Sequence, residues 1–170
     1  MIATRRIARA SFGAGIGVVL TGLLSGLILS RGPHLMLIPA MGASGVLLFA
    51  APETSFAQPR AVIGGNFIAV ITGLAALHVT SQPTLAVSLA LVTTIAVSAL
   101  CGCIHPPSGG VALMVVLGGP GALLADNRIT IMAVLLNSVL LVLLAFVWNK
   151  ITGTPYPHPN GRWLADRSRM

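Results

Sequence analysis

Apolar residues in this chain come in long blocks, separated by short polar stretches rich in proline and glycine. Four blocks, at about 12–29, 61–78, 84–100 and 129–148, approach the roughly twenty apolar residues that a helix needs to cross a hydrocarbon core. Two further apolar stretches are broken. Residues 35–51 are interrupted by Pro39, Gly42 and Gly45, which leaves a helical part from about Gly42 to Ala51, and residues 108–118 form the second. At 1.5 Å per residue each piece is about 15 Å long, half the thickness of the core.

The polar stretches mark the connections. They are Arg31-Gly32-Pro33-His34, Pro52-Glu53-Thr54 running on to Gln58-Pro59-Arg60, Thr80-Ser81-Gln82-Pro83, and Gly119-Pro120-Gly121 followed by Asp126-Asn127-Arg128. One break has a different character. Cys101-Gly102-Cys103-Ile104-His105-Pro106-Pro107-Ser108-Gly109-Gly110 joins two apolar runs. Its prolines lack an amide donor and bias the residue before them away from the helical region. In lipid such a break survives only when it is buried in protein or lines a cavity. Function is a common reason to keep a polar break at that depth.

The two halves, about 12–79 and 84–148, read alike: span, Pro/Gly break, half-length helix, connector, span. Pro39-Ala40-Met41-Gly42-Ala43 aligns with Pro106-Pro107-Ser108-Gly109-Gly110. Internal duplication with a discontinuous element in each half is a transporter or channel signature. The expected fold is all-α, with four full transmembrane helices plus two broken or re-entrant half-helices in two repeats. If the short pieces cross completely, there are six spans and the halves form an inverted 3+3 repeat. Both schemes leave the two termini on one side.

Composition sets the class. Only 8% of the 170 residues are charged, against about a quarter in soluble domains, and mean hydropathy is +0.94. The reading is an integral membrane protein with one transmembrane domain over 1–170 and a cytoplasmic tail over 149–170. The net charge of +7 sits at the ends and in connectors. It therefore signals topology and contact with lipid headgroups, and no basic stripe suits nucleic acid. Arg5, Arg6 and Arg9 precede the first block, so an uncleaved first span with a cytoplasmic N-terminus is expected. Tyr156, Arg162, Trp163, Arg167 and Arg169 give the tail a composition suited to the cytoplasmic surface of a bacterial inner membrane.

Candidate chemistry gathers at the breaks. A half-helix starting at mid-depth presents unsatisfied amide donors and the positive end of its dipole. Gly42-Ala43-Ser44 and Ser108-Gly109-Gly110 are small enough for a ligand to approach, and equally small enough for tight helix packing. His105 can donate to an anion or exchange a proton, or it can satisfy a carbonyl freed by Pro106 and Pro107. Arg60 reads as an anion-attracting gate or as an interfacial anchor. Asn66 and Asn137 occupy corresponding spans and either line a path or bond between helices. Cys101, Cys103 and His105 invite a metal reading, but Cys103 falls on another helical face and no carboxylate is near. No metal or cofactor is expected. Glu53, Asp126 and Asp166 lie in connectors or the tail, and a Ser108/His105 pair lacks an orienting third group, so no enzyme is expected.

The order Pro39-x-x-Gly42-Ala43-Ser44, Gln58-Pro59-Arg60 and His105-Pro106-Pro107-Ser108-Gly109-Gly110 resembles the HPP family of integral membrane proteins over about residues 12–148. The resemblance implies a four-span protein. It also implies passage of a small inorganic anion, since some plant and cyanobacterial members are linked to nitrite transport. Ser108 and Gly110 stand where many relatives carry Ala. The expected function is a small-anion transporter or channel, with a non-transporting membrane module that binds a ligand or partner protein as the alternative. Four spans make a thin wall, so a homo-oligomer is expected, with Gly13, Gly17, Gly22 and Gly26 of the first span as a candidate contact.

Overall fold

The computed structural model describes residues 2–32, 36–118 and 126–158. Pro33, His34, the Gly119-Pro120-Gly121 connector and the tail residues Arg162, Trp163, Asp166, Arg167 and Arg169 lie outside the described residues. The described chain is helical: α1 (Ile2–Ile28), α2 (Pro39–Ala50), a 3-10 turn at Ser55–Ala57, α3 (Pro59–Val79), α4 (Pro83–Leu100), α5 (Ser108–Leu117) and α6 (Asn127–Ile151). Four of these (α1, α3, α4 and α6) are long and apolar enough to cross a membrane, while α2 and α5 have 12 and 10 residues.

Local chemistry sets the ends. Pro39, Pro59 and Pro83 open α2, α3 and α4, where proline's missing donor costs nothing and its fixed φ suits the first turn. For that reason α2 starts at Pro39 and not at Gly42, the start expected from the glycine. The Asp126 carboxylate caps α6 by accepting from the Arg128 amide at 2.8 Å. Gly118 ends α5 in the left-handed region, at φ 75°.

Contacts fix the direction of each helix. Arg6 pairs with Glu53 at 3.1 Å, and Gly45 lies against Ala14 and Val18, so α2 runs back along α1 toward its N-terminus. Thr72 bonds Thr94 at 2.6 Å and Arg60 reaches the Cys101 carbonyl, which makes α3 and α4 antiparallel. Gly65 faces His105 and Gly73 faces Val115, so α5 runs parallel to α3. Gly13 lies against Trp148 and Ser25 against Asn137, which sets α6 antiparallel to α1. Successive helices thus alternate in direction from α1 to α6. One end of the bundle collects the start of α1, the 51–58 connector and the end of α6. There Arg9 donates to the Thr152 carbonyl, Tyr156 to the Ala57 carbonyl, and the His158 amide to Gln58 Oε1.

Small residues bring the helices together. The glycines of α1 face inward: Phe49 fills the space beside Gly13 and Gly17, and Gly22 and Gly26 are buried. This corrects the expectation that they form a contact between copies. The Phe49 ring of the same chain occupies the groove that Gly13 and Gly17 make. The core joins Met41 and Leu48 of α2, Val62 and Val70 of α3, Val111 and Val115 of α5, and Val134 and Leu141 of α6. Leucines and valines on the outer faces of α1 and α4 are exposed, as a lipid-facing surface requires.

Candidate functional site

The two broken stretches meet. Ala40 of α2 stands beside Gly110 of α5, where a methyl built on the glycine would lie 3.4 Å away. One turn further along α2, Ser44 Oγ is 2.8 Å from His105 Nε2, a contact across 61 residues. The other ring nitrogen, Nδ1, lies 2.8 Å from the Phe56 carbonyl in the turn before α3. A carbonyl only accepts, so Nδ1 carries the hydrogen, and in the neutral ring Nε2 accepts from Ser44. The single Ser44 hydroxyl hydrogen is thereby shared between Nε2 and the Ala40 carbonyl, which is 3.2 Å away. His105 is only 1% exposed, and this set of bonds explains how a polar ring is tolerated there.

Gly65 makes the room. A methyl on it would stand 2.8 Å from His105 Cβ and 2.9 Å from the Cys103 carbonyl, so only glycine lets the backbone of α3 lie under the break. Gly64 performs the same service for the Cys103 side chain. Cys103 is buried and Cys101 exposed, so the two thiols occupy different surroundings.

The first-turn amides of α5 differ from expectation. Ser108, Gly109 and Gly110 donate to the carbonyls of His105, Pro106 and Pro107 at 2.8, 3.2 and 3.0 Å. The prolines hold a tight turn that runs directly into the helix, so these donors are used within the chain and do not point outward. Met41 of α2 likewise donates to the Ile38 carbonyl at 2.9 Å.

The candidate residues divide into an inner and an outer group. Ser44, His105, Pro107, Ser108, Asn66 and Asn137 are buried; Gly109 is half-buried; Pro39, Gly42, Ala43, Pro106, Gly110 and Arg60 are exposed. Arg60 donates to the Cys101 carbonyl at 2.6 Å and so covers the C-terminal end of α4. Asn137 bonds Ser25 of α1 at 3.3 Å and its own Ala133 carbonyl at 2.8 Å. Asn66 gives its amide hydrogen to Ser138 of α6 at 3.0 Å, while its Oδ1 is buried without a partner. Sequence reasoning missed the Phe56 carbonyl, Ser138 and Gly65. The Gly64-Gly65 pair within an apolar span was the available signal for close approach.

Apart from the break, the bundle end that holds Arg6 and Arg9 contains a cavity of about 250 Å³. Phe49 and Trp148 form its apolar wall, and Asn149 lies on its inner side. Asn149 is buried and donates to the Leu48 carbonyl at 3.1 Å, one helical turn along α2 from Ser44.

An all-helical bundle with four membrane-length helices and two half-length ones meeting at a proline break defines a multi-span membrane protein. The HPP transmembrane region matches residues 1–157, and the chain belongs to the HPP family. Two transmembrane proteins of Dictyostelium discoideum are similar to it. One is 32% identical over 87 residues, 49% of this chain and 30% of that protein, and the other 30% identical over 106 residues, 60% of this chain and 34% of that protein. The chain thus matches about a third of the length of these curated relatives. No solved structure matches.

Proposed function

We propose that the chain is a small-anion permease of the cytoplasmic-type membrane, with nitrite as the first substrate to test on the strength of family membership. The observation that carries this reading is the Ser44–His105 hydrogen bond, which ties the broken helix of one half to the break of the other. Every packed helix pair has a counterpart when the halves are exchanged: α1 on α2 with α4 on α5, α3 on α4 with α6 on α1, and α3 on α5 with α6 on α2. With helix directions alternating, this is the pattern of an inverted repeat crossing six times, in which each short helix completes its passage with the irregular segment before it. Arg5, Arg6, Arg9, Arg60 and Lys150 fall at one end and Arg31 and Arg128 at the other, so the first end, which holds the start of α1 and the end of α6, is assigned to the cytoplasm. The arginine-bearing cavity there suits the collection of anions from solution.

The test is nitrite uptake into proteoliposomes by the wild type, Ser44→Ala and His105→Ala. Expected are uptake above empty vesicles and a change of at least threefold in both variants, each checked for a monodisperse elution profile. The burial of His105 with both ring nitrogens engaged favours a second reading, a membrane module that binds without transporting. Absence of uptake of nitrite and other small anions by a folded preparation would overturn transport in its favour.

A further inference from the structure

The cavity beside Arg6 and Arg9, at the bundle end assigned to the cytoplasm, has the chemistry of an anion site. The two arginines stand one turn apart on α1 and both line it. Each spends one hydrogen bond within the chain, Arg6 on Glu53 at 3.1 Å and Arg9 on the Thr152 carbonyl at 2.6 Å. A guanidinium has five N–H donors, so capping α6 and pairing with Glu53 leave most of them over. Glu53 does not line the cavity, and its pair with Arg6 is exposed on both sides and therefore weak. Carbonyls at the ends of α2 and α6 would repel an anion, but several are already covered. Asn149 donates to that of Leu48, the Ala51 amide to that of Leu47, the Thr154 amide to that of Asn149, and Arg9 to that of Thr152. The Trp148 indole and the Thr154 hydroxyl also line the cavity, and neither has a hydrogen-bond partner among the described residues.

Position and charge narrow the ligand. Among the described residues this end carries Arg5, Arg6, Arg9, Arg60 and Lys150 against the one carboxylate of Glu53. From Arg9 the same side of α1 continues through Phe12 and Ile16, both exposed, into the apolar span. Trp148, near the end of α6, stands at the level of an interfacial aromatic belt. At about 250 Å³ the cavity is smaller than the roughly 300–1,000 Å³ of pockets that enclose a drug-sized ligand, so it takes a headgroup and leaves chains outside. A free anion would use the arginines alone, whereas a lipid uses the arginines and the apolar track beside them.

We infer that this cavity is a defined binding site for the phosphodiester of an anionic phospholipid. Arg6 and Arg9 donate to its phosphate oxygens, and its acyl chains run along Phe12 and Ile16. Basic pockets between helix ends on the cytoplasmic side are a recurrent form of such recognition. The inference goes beyond the transport reading, which rests on the Ser44–His105 bond, and it stands whether or not the chain moves an anion.

The test is native mass spectrometry of the full chain in detergent, titrated with dioleoyl phosphatidylglycerol or dioleoyl phosphatidylcholine. Expected is retention of phosphatidylglycerol at a concentration lower by about tenfold or more. In the double variant Arg6→Gln/Arg9→Gln the two lipids should differ by less than about twofold, since both cations at the phosphate are gone. Arg5→Gln, which removes the same charge outside the cavity, should keep the preference. Equal binding of the two lipids by the wild type overturns the inference without recourse to a variant, and so does a preference that survives in the double variant. A second measurement reads the source of the oxyanion. Trp148 is the sole tryptophan after Trp163→Phe. Its emission is followed on adding phosphatidylglycerol, sodium phosphate or sodium nitrite, the salts against sodium chloride at equal ionic strength. Expected is a shift with the lipid, and with phosphate only at far higher concentration. No response to the lipid overturns the inference, and a response to phosphate or nitrite in its place makes the cavity a port for soluble anions. Neither measurement involves flux, so its outcome is separate from that of the uptake assay.

Discussion

At the scale of single residues, the polar groups of this bundle are distinguished by where their hydrogens go. His105 is neutral in its simplest arrangement because one nitrogen must donate to a carbonyl and the other can then take the Ser44 hydrogen. Adding a proton to Nε2 would turn Ser44 to the Ala40 carbonyl alone, so a single proton rearranges the contact between the two halves. Outside the membrane-spanning segments, Tyr156 gives a pH effect with a definite sign. Its hydroxyl donates to the Ala57 carbonyl at 3.0 Å, and burial pushes the phenol's pKa up, because burial penalises the charged phenolate. In the unfolded chain the phenol titrates near 10. The folded protein therefore keeps a proton that the unfolded chain releases, and the stability linked to it is complete below about pH 10 and falls as pH rises further. Melting temperatures measured from pH 9 to 11 in detergent should decline more steeply for wild type than for Tyr156→Phe. Parallel declines would show that the tail contact does not contribute.

At the scale of elements, the glycines sort by what lies opposite them. Gly65 faces His105 Cβ and the Cys103 carbonyl within 3 Å of where a methyl would stand, whereas a methyl on Gly42 meets nothing within 4 Å. Gly65→Ala is expected to destabilise the protein by about 1–3 kcal/mol through overpacking, since a backbone carbonyl cannot swing aside. Gly42→Ala should stay within about 0.5 kcal/mol of wild type or gain slightly from helix propensity. Urea or thermal unfolding in a fixed detergent compares them, and equal effects would mean that the break yields to α3. The same pair shows what sequence could tell. The four long spans and both half-length helices were legible because hydropathy and Pro/Gly interruption report directly on length and continuity. The fate of the α5 amides was not, since whether a proline turn offers its carbonyls to Ser108, Gly109 and Gly110 depends on local geometry. Nor was the partnering of Ser44 with His105, which depends on how two distant segments fold past each other.

At the scale of the whole molecule, the question left open by the sequence is whether the short helices return or cross. Charge could not settle it, because both schemes put the termini on one side. The contacts bear on it through the 51–58 connector. In a four-span scheme with returning half-helices, α1 leaves the N-terminal side, α2 dips in and comes back, and residues 51–58 lie opposite the N-terminus. Arg6–Glu53, Tyr156–Ala57 and His158–Gln58 instead join that connector to the start of α1 and the end of the described chain. Six crossings also send the 80–83 connector to the far side, where four would leave it near. The two schemes thus exchange the sides of two connectors at once, which one labelling experiment can read. In a background carrying Cys101→Ser and Cys103→Ser, Thr54→Cys should react with a membrane-impermeant maleimide only in inverted vesicles. Ser81→Cys should react only in right-side-out ones. The opposite pattern for both positions would restore the returning half-helices. It would also remove the inverted repeat proposed for the permease, because two-span halves with returning helices run parallel.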